Sequence, residues 1–416
     1  MINYKERVLQ NGLRVIVGRD RSSKLAAVNL LYCVGARDED PAQTGFAHLF
    51  EHLMFKGTER FPSFDYEVQI ASGRNNAFTN NDYTDYYIAL PKVSLATALA
   101  LEADRMRGLR LTIDALETEK KVVAEEYKQR YLNQPYGDLM MILRDMCYKV
   151  HPYRWATIGL SIDHVMSATM EQVTQFYDKF YRPSNCILSV VADYDEEQLF
   201  AMCEEHFGNI EDKPLSAAER AIPAEPLQTE ARRVDVERDV PATYIAVAFP
   251  IGNRVSRDFF TADLVSDLLA GGDSARLYQK FVKGESIFAS VNAYVTGDVD
   301  PGLFVFSAQL LPETTIEQAE TAIWQQIAEL KSEDADSYEL EKVKNKFEAS
   351  TLFGEINVMN KAMNMGFYKM LGEIELINKE VEIYQSIDTE QIKDFAARNF
   401  TPERSNTLIY RAKKQE

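Results

Sequence analysis

The chain has 416 residues, of which 46% are hydrophobic and 26% are charged, with only 19 glycines and 14 prolines. This composition excludes a disordered, collagen-like or disulfide-scaffold protein, and the length predicts two or more domains. The 46 basic and 64 acidic residues give a net charge of −18, which argues against nucleic acid and anionic membrane surfaces as partners.

The N-terminal residues carry charge where a secretory signal peptide has its apolar run. The sequence also has no uninterrupted apolar stretch of the roughly 18 residues that a membrane-spanning helix needs. We therefore expect a cytoplasmic protein, or a periplasmic one if a leader has been removed. The four cysteines form no CxxC pair, which is typical of buried structural thiols.

The first half begins with β-like runs, and a short helix with two histidines follows them. Thr44 is placed to cap this helix and Gly57 to end it, so three helical turns are predicted. His48, Glu51 and His52 interrupt side chains that are otherwise apolar or small, which is typical of a buried helix. Burying two imidazoles and a carboxylate is costly unless they share a partner, and a divalent cation suits all three.

The spacing of the two histidines indicates which ion to expect. His48 and His52 stand four residues apart and project from one helix face, so both can bind one tetrahedral Zn²⁺. Glu51 beside them is placed to take a proton from water that the zinc makes acidic. We expect one Zn²⁺ per chain, and the alternative is a metal-free histidine pair. The remaining histidines are predicted to be surface or packing residues: His151, His164 and His206.

A β-like segment comes next along the chain and comprises Asn76, Ala77, Phe78 and Thr79. Because it is close to the histidine helix in sequence, its backbone is a candidate to pair with an extended peptide by strand addition. Pairing through the backbone predicts broad specificity. The alternative is an ordinary sheet strand with no contact to substrate.

Two neutral histidines leave a divalent ion short of charge, so an acidic third ligand is expected elsewhere. A helix predicted over 112–131 offers Glu117, Glu119, Glu125 and Glu126, and composition alone does not choose among them. Glu119 and Glu126 are seven residues apart, which places both on one helix face.

The chain is predicted to consist of two related halves. A proline-containing, weakly periodic stretch near the midpoint is typical of a linker, which gives halves 1–210 and 234–416 around a linker at 211–233. One pattern occurs in both halves: Glu171, Gln172, Val173, Phe176, Tyr181 and Pro183 are matched by Glu390, Gln391, Ile392, Phe395, Phe400 and Pro402. Strands at both ends of each half predict an α+β fold of two homologous sandwich halves, each a largely antiparallel sheet with helices packed on one face.

These residues resemble the pitrilysin and insulinase family of zinc peptidases, in which an inverted His-x-x-Glu-His motif precedes a helix with two glutamates seven apart. The resemblance implies that Glu126 is the third zinc ligand and that Glu119 is a supporting acid in the catalytic site. It implies a zinc endopeptidase that hydrolyses peptides or unfolded segments, similar to the family's smaller members. Further matching residues are Gly73, Asn76, Ala77, Thr79, Asp82, Thr84, Tyr86, His151, Pro152, Tyr153, Ile158 and Gly159.

The sequence departs from the family pattern in its second half. Self-sufficient relatives have an Arg and, seven residues later, a Tyr that bind substrate and stabilise the oxyanion. Here Val282 and Ala289 stand at those positions, with Lys280 or Lys283 as other possible donors. The resemblance therefore implies the zinc subunit of a heterodimer whose homologous partner supplies Arg and Tyr, or a homodimer in the partner's absence.

Two other functions compete with this one. The first is a non-catalytic structural or assembly subunit, as in the respiratory-complex core proteins that resemble this family. The second is a different zinc hydrolase that uses the same residues on a non-peptide substrate. Bound metal and hydrolysis of a quenched peptide distinguish the peptidase from the structural subunit.

Overall fold

The computed structural model describes residues 1–216 and 218–413. Within this part of the chain there are eleven strands, which in chain order are β1 (Lys5–Val8), β2 (Arg14–Arg19), β3 (Leu25–Tyr32), β4 (Arg74–Thr79), β5 (Thr84–Pro91), β6 (Cys186–Ala192), β7 (Arg232–Arg238), β8 (Tyr244–Pro250), β9 (Phe288–Val295), β10 (Leu303–Leu310) and β11 (Asn406–Ala412).

The same residues form fourteen α-helices: α1 (Phe46–Leu53), α2 (Phe64–Ile70), α3 (Leu95–Arg107), α4 (Ile113–Tyr127), α5 (Leu139–Cys147), α6 (Ile162–Met166), α7 (Met170–Phe180), α8 (Glu196–Phe207), α9 (Arg257–Ala270), α10 (Ile316–Ser332), α11 (Ser337–Gly354), α12 (Val358–Met370), α13 (Leu376–Gln385) and α14 (Thr389–Asn399). Two π-helical segments also occur, at Lys128–Leu132 and Tyr278–Gly284. Short 3-10 turns lie at Ala36–Asp38, Lys92–Ser94, Pro152–Arg154, Pro183–Asn185, Ala218–Arg220 and Pro402–Arg404.

The chain folds into two compact units that do not follow chain order. Unit 1 comprises Met1–Lys128, His151–Pro223 and Leu352–Asn378. Unit 2 comprises Gln129–Val150, Ala224–Thr351 and the described part of the chain after Asn378. Each unit thus contains a segment from the other half of the sequence. The repeat-based halves 1–210 and 234–416 with their linker stay a prediction.

Unit 1 is built on a six-stranded sheet in the order β1-β2-β6-β3-β5-β4. Only β2 and β6 pair in parallel, so the sheet is largely antiparallel. The central strands β3 and β6 are almost continuously apolar in sequence and buried along nearly their whole length. Such strands are typical of a sheet covered on both faces. The last strand, β4, lies at the edge of the sheet.

Helix α12 covers one face of this sheet although it lies far along the chain. It packs on β3 and β6 through a cluster that includes Ala27, Leu31, Ile187, Val191, Val358, Ala362 and Met365. Gly366 allows the close approach, because a Cβ there would lie 2.8 Å from Asn29 Oδ1. Lys361 of α12 also donates a hydrogen bond of 2.5 Å to Asp20 Oδ2.

This ion pair predicts how acid affects stability. Burial alone would raise the pKa of Asp20, but hydrogen bonds from Lys361 and Ser22 outweigh it and lower the pKa from 3.8 to about 2. Because the folded-state pKa lies below the unfolded one, the contribution is present above about pH 4 and is lost as the pH falls towards 2.

We expect the Asp20→Asn substitution to lower the free energy of unfolding by about 2 kcal/mol at pH 7 and by only about 1 kcal/mol at pH 3. Urea unfolding of both proteins across this pH range measures the difference. A difference that stays constant with pH would contradict this account of the pair.

Unit 2 has a five-stranded sheet in the order β7-β11-β8-β10-β9, in which only β7 and β11 pair in parallel. The apolar strands β8 and β10 form its buried centre. Helix α9 packs on β9 and on α14, which also packs on α10, while α5 packs on β11 and β8. Two largely antiparallel sheets with helices confirm the predicted α+β class.

None of the helices in residues 1–216 and 218–413 combines the length and the apolar character needed to cross a membrane.

Candidate metal centre

Helix α1 carries both predicted histidine ligands. Its apolar side chains are buried, and the Phe50 ring packs 5.3 Å from Phe176 and 6.1 Å from Tyr177 of α7, measured between ring centroids. This packing fixes the helix and directs His48 and His52 to one side, with ring centroids 4.9 Å apart. The imidazoles therefore belong to a rigid element of unit 1.

The predicted ends of this helix were wrong. Gly45 rather than Thr44 is the N-cap, and its φ of +87° lies in the left-handed region that favours glycine. The Thr44 hydroxyl instead accepts a hydrogen bond of 2.8 Å from the Leu160 backbone N–H. The helix ends at Leu53, because tighter turns follow before Gly57. Thr44 instead contacts Leu160 and His164, which are distant in sequence, so its neighbours along the chain did not indicate this role.

Helix α4 brings Glu126 to the two histidines. The Thr112 hydroxyl caps α4 by accepting from Ala115 N. Glu126 Oε2 lies 3.6 Å from His48 Nε2 and 3.6 Å from His52 Nε2. One donor atom from each of these residues lies within 4.8 Å of the other two. Of the four glutamates on this predicted helix, Glu126 is the one that converges with the histidines.

Glu119 lies about two helical turns before Glu126 on α4 and contacts the other ring nitrogen of His52, Nδ1. Its Oε2 is 3.2 Å from His52 Nδ1, and its Oε1 is 2.5 Å from Lys56 Nζ. Burial would raise the pKa of Glu119, but hydrogen bonds from His52 and Lys56 lower it overall. The signs are reversed for His52. Burial would lower its pKa, but the hydrogen bond to Glu119 and the nearby carboxylates raise it overall.

Lys56 was not predicted as part of this cluster. It holds the second oxygen of Glu119, so that carboxylate is shared between a cation and an imidazole. The usable signal in the sequence was its position four residues after His52, the spacing of one helical turn. The regular helix ends at Leu53, so Lys56 reaches Glu119 from the tighter turns that follow α1.

Glu51 and the predicted substrate strand are joined by a hydrogen bond. The Thr79 hydroxyl donates to Glu51 Oε2 at 2.7 Å. Thr79 ends β4, whose residues Asn76, Ala77, Phe78 and Thr79 pair with β5 on one side. On its other side β4 has no neighbour in the sheet order of the described residues. The strand thus borders helix α1 at a sheet edge.

The donor set fits a small divalent ion. Ligands at about 2.0–2.1 Å from a tetrahedral zinc lie about 3.3 Å from one another, close to the separations between Glu126 and the two imidazoles. Two imidazoles with one carboxylate are a zinc ligand set that leaves a fourth position for water. The contact between His52 Nδ1 and Glu119 also leaves Nε2 of the same ring for the ion.

The two positions that depart from the family pattern both lie in unit 2. Val282 is in the π-helical segment, and Ala289 is exposed on β9. Lys280, one of the other possible donors, forms an ion pair with Glu329. The structure gives no further role to Val282 or Ala289.

Comparisons with known proteins identify the family of this chain. The family description Insulinase (Peptidase family M16) matches residues 14–151, and Peptidase M16 inactive domain matches residues 167–347. The chain is 31% identical to zinc protease PqqE of Helicobacter pylori over 81% of this chain and 76% of that protein.

Solved structures give the same result for the fold. A protease from Helicobacter pylori superposes with a TM-score of 0.92 at 27% identity, covering 99% of this chain and 100% of that one. A peptidase M16 inactive domain from Pseudomonas fluorescens has a TM-score of 0.88 at 18% identity, covering 100% and 99% of the two chains. The chain belongs to the insulinase family of peptidases, family M16.

Proposed function

We propose that this chain is the zinc-bearing subunit of an endopeptidase that hydrolyses peptides or unfolded segments. The single observation that carries the proposal is that donor atoms of His48, His52 and Glu126 lie within 4.8 Å of one another, on and against the helix that also carries Glu51. Residues 14–151, which contain every predicted site residue, match the peptidase description, whereas the match named as inactive covers 167–347.

His48, His52 and Glu126 would hold the zinc, one ion per chain. When bound, zinc acts as a Lewis acid that makes water acidic near neutral pH and polarises a carbonyl group. Glu119 keeps His52 oriented by binding its Nδ1 side, and Lys56 holds Glu119 in that position. The three ligands come from two packed helices and need little rearrangement.

Glu51 would act as the general base. Its carboxylate takes a proton from the attacking water, whose oxygen forms the new bond to the peptide carbonyl carbon. Glu51 then gives the proton to the leaving nitrogen as the C–N bond breaks. The Thr79 hydroxyl orients this carboxylate through the hydrogen bond of 2.7 Å.

The edge of β4 would bind the substrate. A peptide added as a further strand at Asn76–Thr79 would form backbone hydrogen bonds that ignore side-chain identity. Because Thr79 contacts Glu51, a peptide held along this edge would be close to the general base. Broad sequence tolerance follows from this mode of binding.

The partner would supply the groups that Val282 and Ala289 do not provide. A homologous subunit with Arg and Tyr would stabilise the oxyanion, an interaction worth about 100-fold or more in rate. We expect the chain alone, including any homodimer, to be nearly inactive and to gain at least about 100-fold when mixed with that subunit. A partner preparation in which the Arg and Tyr are replaced is the control, and full activity of the lone chain would contradict the split site.

Metal analysis combined with peptide hydrolysis tests the proposal as a whole. We expect about one zinc per chain, and cleavage of an internally quenched peptide by the assembled enzyme that stops on chelation and returns with zinc. Zinc without hydrolysis by any assembly favours the structural subunit. Hydrolysis of esters or non-peptide amides with intact peptide favours a different zinc hydrolase.

A further inference from the structure

The metal-binding helix begins without the side-chain cap that most helices have. Its N-cap residue is Gly45, which has no side chain to accept a hydrogen bond from the first turn. The first backbone N–H groups of any helix lack partners within the helix, and leaving them buried and unbound is costly. In α1 this first turn ends at the ligand His48, so its anchoring bears directly on the site.

A buried carboxylate from outside the helix takes the place of the cap. Glu39 Oε2 accepts from Gly45 N at 2.9 Å, and Glu39 Oε1 accepts from Ala47 N at 2.8 Å. Glu39 is only 6% exposed. It follows the 3-10 turn at Ala36–Asp38, so it reaches the helix from a separate element. Two hydrogen bonds donated to one buried carboxylate fix both the position and the rotation of this turn.

Keeping a carboxylate at this place has a cost. Burial raises the pKa of Glu39 to about 8, against the opposing effect of the Ala47 and Gly45 backbone N–H groups. The positive end of the α1 dipole also favours the anion. An uncharged Ser or Asn at the N-cap is the more usual solution in helices.

The same turn is held from a second side. Thr44 N donates to His164 Nδ1 at 3.2 Å, and a Cβ at Gly45 would lie 2.7 Å from Ile158 O. Ile158 in the loop before α6 and His164 within α6 therefore pack against the residues immediately before α1. This contact restrains the backbone at Gly45 but binds none of the helix N–H groups beyond it, and Glu39 is the group that reaches Ala47.

We propose that Glu39 is a positioning residue that preorganises the metal site by holding the first turn of α1, and with it His48, at the distance from Glu126 that metal binding needs. The inference rests on the proposed zinc site and adds a residue outside the motif to it. Glu39 acts through the backbone of Gly45 and Ala47.

Zinc affinity of the whole chain is the decisive measurement. The wild type, Glu39→Gln, Glu39→Ala and Asp40→Ala are stripped of metal, and zinc binding is measured by competition with a chromophoric chelator well below each unfolding temperature. We expect Glu39→Ala to bind zinc about 10- to 100-fold more weakly, in the range found for residues that orient metal ligands. Glu39→Gln keeps one acceptor oxygen and should fall between Glu39→Ala and the wild type.

Asp40→Ala is the matched control, because this neighbouring carboxylate is exposed and accepts a hydrogen bond from Ala42 N within its own loop. It should bind zinc as the wild type does. The visible spectrum of the Co²⁺ form is a second readout, and we expect a weaker and shifted absorption for Glu39→Ala because His48 is less well placed. In the assembled enzyme, excess zinc should restore much of the variant's hydrolytic activity.

A folded Glu39→Ala protein with zinc affinity within about twofold of the wild type would overturn the inference, even if its apo form unfolds at a lower temperature. If the Glu39→Ala protein does not fold, the zinc affinity of the Glu39→Gln protein is judged against the same limit of about twofold. Failure of the wild type itself to bind zinc would refute the proposed function and this inference together. Normal wild-type binding with unaffected variants would refute this inference alone.

Discussion

The Glu51→Gln substitution is expected to abolish peptide hydrolysis while zinc stays bound at one ion per chain. Glutamine has nearly the same shape and still accepts the hydrogen bond from Thr79, but it cannot take a proton from water. General-base catalysis typically contributes about 100- to 10,000-fold, so kcat of the assembled enzyme should fall by at least this range. The quenched-peptide assay and metal analysis on the same preparation measure both quantities.

Glu125→Gln on α4 is the matched control for this experiment. Glu125 is exposed and pairs with Lys128, so its loss should leave hydrolysis within about twofold of the wild type. Persistent activity in the Glu51→Gln protein would refute its role as base. Loss of zinc from that protein would show instead that Glu51 contributes to holding the metal.

The His52→Ala substitution should release the metal. His52 presents one nitrogen to the site and the other to Glu119, so its removal deletes a ligand and leaves Glu119 with Lys56 alone. Loss of a group that merely orients a ligand costs about 10- to 100-fold in affinity, and loss of the ligand itself should exceed that. Zinc content after dialysis against a weak chelator measures the effect.

His206→Ala on α8 removes a histidine from the same unit and should keep a full complement of zinc. Full occupancy in the His52→Ala protein would show that the ligand assignment is wrong. Retained zinc with lost hydrolysis would leave His52 as a residue that orients the base or substrate. The two histidine variants together therefore separate a specific loss from general damage.

The proximity of the two histidines could be predicted from the sequence because it depends on short-range spacing. Four residues between His48 and His52 place both imidazoles on one helix face whatever the rest of the fold does. Predicted strands at both ends of each half, with helices between them, likewise indicated two largely antiparallel sheets, which the strand order confirms. The edge position of β4 next to Glu51 agrees with the predicted peptide strand, whose role stays a prediction.

The remaining features depend on contacts between residues distant in sequence. Among 64 acids, composition and spacing did not distinguish Glu126 from its neighbours on the same helix; the family resemblance indicated it, and the packing of α4 against α1 brings it to the histidines. Glu39 occupies a loop with no periodicity, and nothing local indicates that it caps α1. Thr44 has the right chemistry for a cap, but Leu160 and His164 engage its hydroxyl.

The coverage of β3 and β6 by α12 affects how the nascent chain emerges from the ribosome. The apolar face that includes Ala27, Leu31 and Ile187 is synthesised well before its cover, Val358–Met370. Until then this face has no packing partner from α12, and an uncovered apolar sheet surface is prone to aggregation. We therefore expect a poor yield of soluble protein from any fragment that ends before α12.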